Sequence, residues 1–300
     1  MKNYLQNLSD KSIAVRKQFF VDKKNPQKYG ENDPFAENQN MPVKNLIHRF
    51  DNRVLILVNN ICAKNCLFCM RERENVKPSY TIGDKEIREI KHYLIKNKEI
   101  KEIIFSGGDP LTTPFVLKKC FSELASLPQI KVVRLGTRVP IINPFLVDDK
   151  IIKILKAVKN KPLYLMLHVN HPDELTRETL TVLKKIQTSV TMVLSQTVFL
   201  KGINDKVDIL QELFEKLVEN GIKPYYLFHC DPVKNAKIFT VDLKKEIKIY
   251  SQLRKVLTGL AYPIFTVEAE KSKGKIPVPT DFWKFDKKQF RDFNNKKFKI

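Results

Sequence analysis

Three cysteines near the start of the chain have the spacing of metal ligands on a single loop. Cys62, Cys66 and Cys69 form a CxxxCxxC pattern, and they follow closely on the apolar run at residues 54–58. A cubane iron–sulfur cluster is normally bound by four thiolates. Because this loop offers three, one iron would stay open to another ligand, which predicts a centre that carries out chemistry. The alternative is a zinc loop, which usually has two CxxC pairs or a CxxC with two distant histidines.

The chain after the apolar run alternates between short β-branched stretches and amphipathic stretches. We predict strands and helices from this alternation, with strands at residues 53–58, 102–105, 131–135, 163–169, 190–199 and 224–229, and helices at 83–97, 114–126, 147–158, 173–186, 207–220 and 241–257. Successive strand–helix units predict a parallel sheet, because each helix returns the chain to the same edge. No glycine fingerprint for a dinucleotide follows the first strand, so the predicted fold class is α/β with a partial (βα)6 barrel. A short strand at 263–267 is expected to join its rim.

Polar residues follow the ends of these predicted strands. In a parallel barrel, functional groups gather where the strands end. Gly107 and Gly108 would let backbone amides approach a ligand closely, and Asp109 could accept a hydrogen bond from an ammonium or hydroxyl group. Further polar groups follow other strands, at residues 136–138 (GTR), 168–171 (HVNH), 196 (Q) and 229–231 (HCD). A functional site is therefore expected at this end of the barrel.

The chain is predicted to have three parts. Residues 1–45 form an N-terminal helical arm and connector, and residues 46–262 form the barrel. Residues 263–300 form a C-terminal segment that ends in a tail rich in lysine and phenylalanine. In the arm, a set of apolar residues falls on one helical face, interrupted by Ser12, and this set comprises Leu5, Leu8, Val15 and Phe19.

Composition limits the class of protein. With 300 residues, 43% hydrophobic and 10% aromatic content, the chain can bury a large core. Its longest apolar runs fall short of the ~18 residues of a membrane helix, and residues 1–10 lack the pattern of an export signal, so a soluble cytoplasmic protein is expected. Five cysteines, three of them on one loop, fit a reducing compartment better than a disulfide framework.

The formal net charge of +21 raises the alternative of a nucleic-acid-binding protein. Lysines are spread over nearly every predicted helix with acidic residues between them, which is typical of solvated helix faces. The one concentrated basic and aromatic stretch is the tail at 284–300. Such a stretch can contact RNA or an acidic partner, but packing of its phenylalanines on the barrel is the favoured interpretation. Nucleic acid is therefore not the expected partner.

The cysteine spacing is also the signature of the radical S-adenosylmethionine (SAM) enzymes, in which SAM chelates the open iron and is split to a 5′-deoxyadenosyl radical. Within that superfamily the chain resembles lysine 2,3-aminomutase and its relatives from about residue 42 to 279. The resemblance rests on several motifs in order, at residues 48–55 (HRFDNRVL), 106–109 (SGGD), 170–174 (NHPDE), 196 (Q), 201–205 (KGIND), 224–226 (PYY), 230–231 (CD) and 274–278 (GKIPV).

The resemblance implies three cofactors: a [4Fe-4S] cluster on Cys62, Cys66 and Cys69, SAM, and pyridoxal 5′-phosphate (PLP). The residues that it assigns to SAM are Ser106, Gly107, Gly108, Asp109, His168 and Gln196. Those that it assigns to PLP are Lys275, which would hold the aldehyde as a Schiff base, and the phosphate-binding Arg49 and Arg53. The family usually has a run of glycines where this chain has residues 271–275 (KSKGK), so Lys271 or Lys273 is an alternative to Lys275.

The resemblance also implies the substrate and the reaction. Arg71 would bind the substrate carboxylate, and Asp231 and Glu268 would hold the side-chain ammonium of lysine. Glu268 stands where the family has Asp, and Phe50 stands where it often has Tyr, so another cationic amino acid such as arginine or ornithine is an alternative. The implied reaction is a radical 1,2-shift of the α-amino group to the β-carbon, in which SAM is regenerated.

Partners are implied in the same way. An electron donor such as flavodoxin or ferredoxin would reduce the cluster. No cysteine follows Lys275, so an oligomer linked through zinc between subunits is not expected, and the chain resembles the shorter relatives that make β-lysine for elongation factor P. Two other classes remain open: a radical SAM enzyme acting on RNA, favoured by charge alone, and a non-catalytic iron–sulfur protein.

Overall fold

A computed structural model describes residues 4–20, 31–75, 77–158, 160–233, 236–269 and 274–280, with short pieces at 283–284, 289–292 and 296–298. The N-terminal arm consists of two helices, α1 (Tyr4–Lys11) and α2 (Ile13–Phe19). They break at Ser12, whose hydroxyl accepts a hydrogen bond from the amide of Val15 and so caps α2. Val15 and Phe19 are buried and Leu5 and Leu8 pack against them, as the helical pattern predicts.

The barrel is one curled, open sheet of nine strands in the order β1 to β9. Their bounds are β1 Leu46–Phe50, β2 Arg53–Asn59, β3 Glu102–Gly107, β4 Val132–Thr137, β5 Leu163–His168, β6 Met192–Val198, β7 Lys223–Phe228, β8 Ile264–Ala269 and β9 Gly274–Pro277. All pairs from β2 to β8 are parallel. The predicted partial barrel is confirmed, and the short strand expected at the rim is β8.

Helices cover the outside of the sheet. Their bounds are α3 Glu72–Asn75, α4 Asp84–Lys96, α5 Pro114–Cys120, α6 Val139–Ile142, α7 Asp149–Lys156, α8 Arg177–Gln187, α9 Val207–Glu219 and α10 Leu243–Val256. The six predicted helices are all present, with ends shifted by a few residues. Two differ in kind: α5 continues as a π-helical turn at Phe121–Ala125, and a separate 3-10 turn at Pro172–Glu174 precedes α8.

Two edge strands were not predicted. β1 pairs antiparallel with β2, and β9 pairs antiparallel with β8. Both are short and mix polar with apolar residues, so their local sequence lacks the β-branched character of the central strands. The register of the β8–β9 pair matters for the site, because it places Glu268 directly opposite Lys275.

Apolar side chains from the strands and the inner helix faces form one large core. A smaller cluster lies beneath the cysteine loop and includes Phe68, Leu200 and Phe239. The backbone of the tail forms a three-stranded antiparallel sheet from Trp283–Lys284, Gln289–Arg291 and Lys297–Phe298. The expected packing of the tail's phenylalanines on the barrel, and the alternative anchors Lys271 and Lys273, lie outside the described residues. Among the described helices, none has the length and apolar character needed to span a bilayer.

Candidate active site

The three cysteines lie on the loop that follows β2, and an aromatic side chain anchors that loop. Phe68, between Cys66 and Cys69, is buried. Its ring centroid lies 5.8 Å from that of Phe239 and 5.7 Å from that of His168. The loop is therefore fixed against the ends of the strands by apolar packing.

The chemistry of these thiols fits an iron–sulfur cluster. Burial raises the pKa of the Cys62 thiol, and the charges of Asp109 and of the other two cysteines raise it further, so the three thiols influence one another. Within the described residues, no group of three or more His, Cys, Asp or Glu side chains surrounds a position for a single ion. A cubane cluster does not need such convergence, because each thiolate binds a different iron atom. Thiolate donors on one loop suit that kind of cluster.

The two glycines at the end of β3, Gly107 and Gly108, allow a close approach of the backbone just before the cysteine loop. A Cβ atom on Gly107 would lie 2.3 Å from the carbonyl oxygen of Asn59, and one on Gly108 would lie 2.4 Å from that of Ile61. The amides of Gly108 and Asp109 donate to these same carbonyls, at 2.7 and 2.8 Å. We expected these backbone amides to face a ligand. Instead, the described contacts join the glycine segment to the residues immediately before Cys62.

Asp109 is buried and joins two strand ends. Its carboxylate accepts hydrogen bonds from the amides of Leu111, Arg138 and Val139 and from the hydroxyl of Thr137. Burial raises the pKa of Asp109 to about 6, although these hydrogen bonds lower it. The carboxylate therefore fixes the loop after β4 against the loop after β3, a different use from the ammonium acceptor that the sequence suggested.

His168, at the end of β5, is paired in register with Gln196, near the end of β6. Nε2 of His168 lies 3.1 Å from the side-chain nitrogen Nδ2 of Asn170. Burial, together with the charge of Arg138, lowers the pKa of His168 well below its usual value. The imidazole is therefore neutral at physiological pH.

Arg71 is buried beside the cysteine loop and is held from two sides. Its Nε and one terminal nitrogen donate to the carboxylate of Glu37, the latter at 2.7 Å, and its other terminal nitrogen donates to the hydroxyl of Ser106 at 3.2 Å. Glu37 also accepts from Arg73 at 2.6 Å. The guanidinium that we expected to bind a substrate carboxylate is thus already oriented by a carboxylate from the connector.

Glu268 pairs with two cations at the β8–β9 edge. Its carboxylate accepts a hydrogen bond from Arg49 at 2.9 Å and forms an ion pair with Lys275 on the opposite strand. The amine of Lys275 also lies 4.8 Å from the ring centroid of Phe228. The side chain of Lys275 is 41% exposed, whereas that of Glu268 is 7% exposed. The amine is therefore accessible, although a buried carboxylate holds it.

The two arginines assigned to a phosphate lie around the ring of Phe50. The guanidinium carbon of Arg53 lies 3.8 Å from the ring centroid, and that of Arg49 lies 5.7 Å from it. Nε of Arg49 is buried and has no hydrogen-bond partner among the described residues. Gly274 closes over the same ring, because a Cβ atom there would be 3.5 Å from it. An unsatisfied donor and a second guanidinium fit an anionic group.

The charge of Asp231 interacts with groups at the β8–β9 edge and with Arg71 beside the cysteine loop. Burial, and to a lesser degree the charge of Glu268, raises the pKa of Asp231 to about 7, against the opposing charges of Lys275, His229 and Arg71. Arg71 in turn interacts with the charge of Cys69. The structure therefore brings the acidic residues, the lysine and Arg71 into one electrostatic neighbourhood that reaches the cysteine loop.

Gln18 and Glu37 had no role in the sequence analysis, and Arg138 appeared there only within the strand-end group at residues 136–138, without a role of its own. Glu37 is a single acid in a polar connector, and Gln18 lies in an amphipathic helix, so neither gives a local signal. The sequence signal for Arg138 was its position directly after a predicted strand, and the structure shows that it is buried. Their partners come from distant parts of the chain, which spacing does not reveal.

Comparison with known proteins identifies the family of the chain. Residues 56–229 match the Radical SAM superfamily. The chain is 32% identical to L-lysine 2,3-aminomutase of Methanococcus maripaludis, with 94% of this chain and 64% of that protein covered. It is 34% identical to a putative L-lysine 2,3-aminomutase of Aquifex aeolicus, with 90% and 72% covered. The chain thus spans about two thirds of the length of these relatives.

Two further comparisons bear on specificity and on fold. The chain is 32% identical to glutamate 2,3-aminomutase of Clostridioides difficile, with 82% of this chain and 58% of that protein covered. Its fold is similar to a radical SAM methyltransferase structure from Sphaerobacter thermophilus, with a TM-score of 0.56, 15% identity, and 74% and 68% of the two chains covered. The superfamily implies SAM and a [4Fe-4S] cluster. Because of its matches to the Radical SAM superfamily and to the lysine 2,3-aminomutases at 32% and 34% identity, the chain belongs to the lysine 2,3-aminomutase family of radical SAM enzymes.

Proposed function

We propose that this protein moves the α-amino group of L-lysine to the β-carbon, using SAM as the radical source and PLP as the carrier of the migrating amine. The observation that carries the proposal is the neighbourhood of an accessible amine on Lys275, two carboxylates on Asp231 and Glu268, and Arg71 beside the cysteine loop. An amine that can hold an aldehyde and charges that can hold a dibasic amino acid are what this reaction needs.

Lys275 is the proposed anchor of PLP. When bound, PLP would hold the amine nitrogen and supply the π-bond to which a radical on the neighbouring substrate carbon can add. The amine of Lys275 is accessible, and Arg49 and Arg53 offer guanidinium groups to the phosphate, one of them with an unsatisfied buried donor. In this arrangement Glu268 keeps the Lys275 amine within the site before the cofactor binds.

The proposed substrate is a cationic amino acid. The edge of the Arg71 guanidinium that Glu37 does not occupy would bind the substrate carboxylate. Asp231 and Glu268 would pair with the side-chain ammonium. Two carboxylates close together repel a substrate whose side chain is itself an acid, which favours lysine over glutamate.

SAM is proposed to bind between the cysteine loop and the ends of β3, β5 and β6. His168 and Gln196 are paired there, and the neutral imidazole can hydrogen-bond without adding charge. Ser106, Gly107 and Gly108 form the neighbouring wall, and Asp109 contributes by fixing the shape of that wall. Closing these groups around the cofactor would exclude water from the radical.

The test is turnover by protein reconstituted anaerobically with iron, sulfide, SAM, PLP and a reductant. L-lysine, L-arginine, L-ornithine and L-glutamate are supplied separately, and β-amino acid products are measured by mass spectrometry. We expect β-lysine from L-lysine and little product from glutamate. Lys275→Ala should lose both the product and the absorbance of lysine-bound PLP, whereas Lys271→Ala and Lys273→Ala should keep both. SAM cleavage without any β-amino acid would contradict the proposal.

A further inference from the structure

Arg138 is buried next to the cysteine loop and donates a hydrogen bond to one of its thiols. One terminal nitrogen of its guanidinium lies 2.8 Å from Sγ of Cys66. The residue is 7% exposed, and its guanidinium carbon lies 4.6 Å from the ring centroid of Phe19 and 5.6 Å from that of Phe68. A permanently charged donor is thus held against a proposed cluster ligand by apolar rings.

A fully buried carboxylate balances this charge. The other terminal nitrogen of Arg138 donates to Glu174 at 2.7 Å and to the side-chain oxygen of Gln18 at 2.5 Å. Glu174 is 0% exposed, and it also accepts from the amide of Asn170 and from Gln18. The guanidinium therefore has a fixed orientation, and the N-terminal arm supplies part of the support.

Hydrogen bonds to cluster sulfurs, net charge and solvent exposure set the reduction potential of an iron–sulfur cluster. Reduction adds one negative charge to the cluster, so a positive charge and an N–H group aimed at a thiolate favour the reduced state. A buried negative charge behind the guanidinium acts in the opposite direction, and the low local dielectric makes both effects larger than at a surface.

We propose that the Arg138–Glu174 pair sets the midpoint potential of the cluster, with the Arg138 hydrogen bond to Cys66 raising it and Glu174 limiting that rise. Arg138 acts here as a positioning and tuning residue and does not contact the substrate. The proposal rests on the cluster that the superfamily implies and is independent of PLP and of the amino acid substrate. It can therefore stand if the proposed aminomutase activity fails.

The test compares cluster potentials by redox titration monitored by electron paramagnetic resonance, in reconstituted full-length protein without PLP or amino acid. The first variant is Arg138→Met with Glu174→Gln, which removes the hydrogen bond while leaving the net charge unchanged. The second is Glu174→Gln alone, which leaves the cation unbalanced. The matched control is Arg134→Met with Glu102→Gln, which removes an Arg–Glu pair on the same sheet that lies away from the thiols. Iron and sulfide content is measured for each protein.

We expect a lower midpoint potential in the double variant, a higher one in Glu174→Gln, and the wild-type value in the control. Shifts of opposite sign distinguish tuning from general damage to the fold. Wild-type potentials in both test variants, at wild-type iron content, would overturn the proposal. If the double variant takes up no cluster, Glu174→Gln decides alone: a higher potential supports the proposal, and an unchanged one contradicts it.

Discussion

Glu268 balances the charges at one side of the site. Its buried carboxylate pairs with Arg49 and with Lys275, so one acid neutralises a residue assigned to the PLP phosphate and the residue assigned to the PLP aldehyde. Buried charges require such partners. A cofactor that engages both cations would release Glu268, which could then pair with a substrate ammonium. The carboxylate of Glu268 thus links the three roles that the resemblance implies: binding of the PLP phosphate, binding of the PLP aldehyde and binding of the substrate ammonium.

The proposed pairing of Asp231 with a substrate ammonium would depend on pH. Its pKa is raised to about 7, chiefly by burial, so the carboxyl is protonated below that pH and ionised above it. Only the ionised form pairs with an ammonium group. We therefore expect KM for lysine to fall as the pH rises through about 7, and Asp231→Asn to have a high KM with little dependence on pH in this range. A wild-type KM that is constant from pH 6 to 8 would contradict this assignment.

Gly107 is expected to be essential for stability. Alanine there would place a Cβ atom 2.3 Å from a backbone oxygen, at a φ of +129° that side chains rarely adopt. Gly107→Ala should lower the free energy of unfolding by more than about 2 kcal/mol, as measured by urea denaturation. Gly259→Ala is the matched control, because nothing lies within 4 Å of the added atom. Equal stability of the two variants would show that the close approach to Asn59 is not required.

At the residue scale, the sequence predicted which residues belong to the site better than it predicted which side chains contact one another. The cysteines, Asp231 and Lys275 stand in motifs and Arg71 follows the cysteine motif closely, so their positions were available from spacing and resemblance. The position of Glu37 was not available in this way, because its ion pair with Arg71 joins residues more than thirty positions apart and leaves no local pattern. For the same reason Asp109 was assigned to a ligand, when its described hydrogen bonds join two loops.

Among the elements, the N-terminal arm supports the cysteine loop directly. The carbonyl of Gln18 accepts a hydrogen bond from the amide of Leu67 at 3.0 Å. The Ser12 hydroxyl fixes the arm by capping α2 and by donating to Asp173 at 2.5 Å. The arm therefore belongs to the structural support of the proposed cluster.

Ser12→Ala tests the contribution of this cap. Loss of an N-cap hydroxyl costs about 1 kcal/mol, and the lost bond to Asp173 adds to that cost. We expect a lower melting temperature and faster loss of iron to a chelator. The control is Ser122→Ala, which removes an exposed hydroxyl from an outer helical turn and should have the wild-type values. Identical iron loss in the two variants would show that the arm does not stabilise the loop.

The central strands and helices were predictable from the sequence, because buried parallel strands are β-branched and amphipathic helices repeat every 3.6 residues. The edge strands β1 and β9 were not, because both are short and mix polar with apolar residues, so their local sequence indicates a strand only weakly. The π-helical end of α5 was also missed, because the apolar period continues through it.

For the whole molecule, the net charge of +21 is spread over the surface, and several lysines form ion pairs with acidic neighbours on adjacent elements. Charge of this kind gives weak, nonspecific attraction to nucleic acid. We expect RNA to bind no tighter than about 1 µM at physiological salt, and to leave the rate of lysine turnover unchanged. Tight binding that falls steeply with salt, measured by filter retention, would favour the RNA-modifying alternative.

The central claim is that the cysteine loop and Lys275 serve one substrate in one site, and transfer of deuterium tests it most directly. Reconstituted protein is given L-lysine carrying deuterium at C3, and SAM and β-lysine are analysed by mass spectrometry. We expect deuterium at the 5′-carbon of SAM and at C2 of β-lysine in the wild type, and in neither compound with Lys275→Ala. Reductive cleavage of SAM in the wild type with no deuterium transferred would contradict the account.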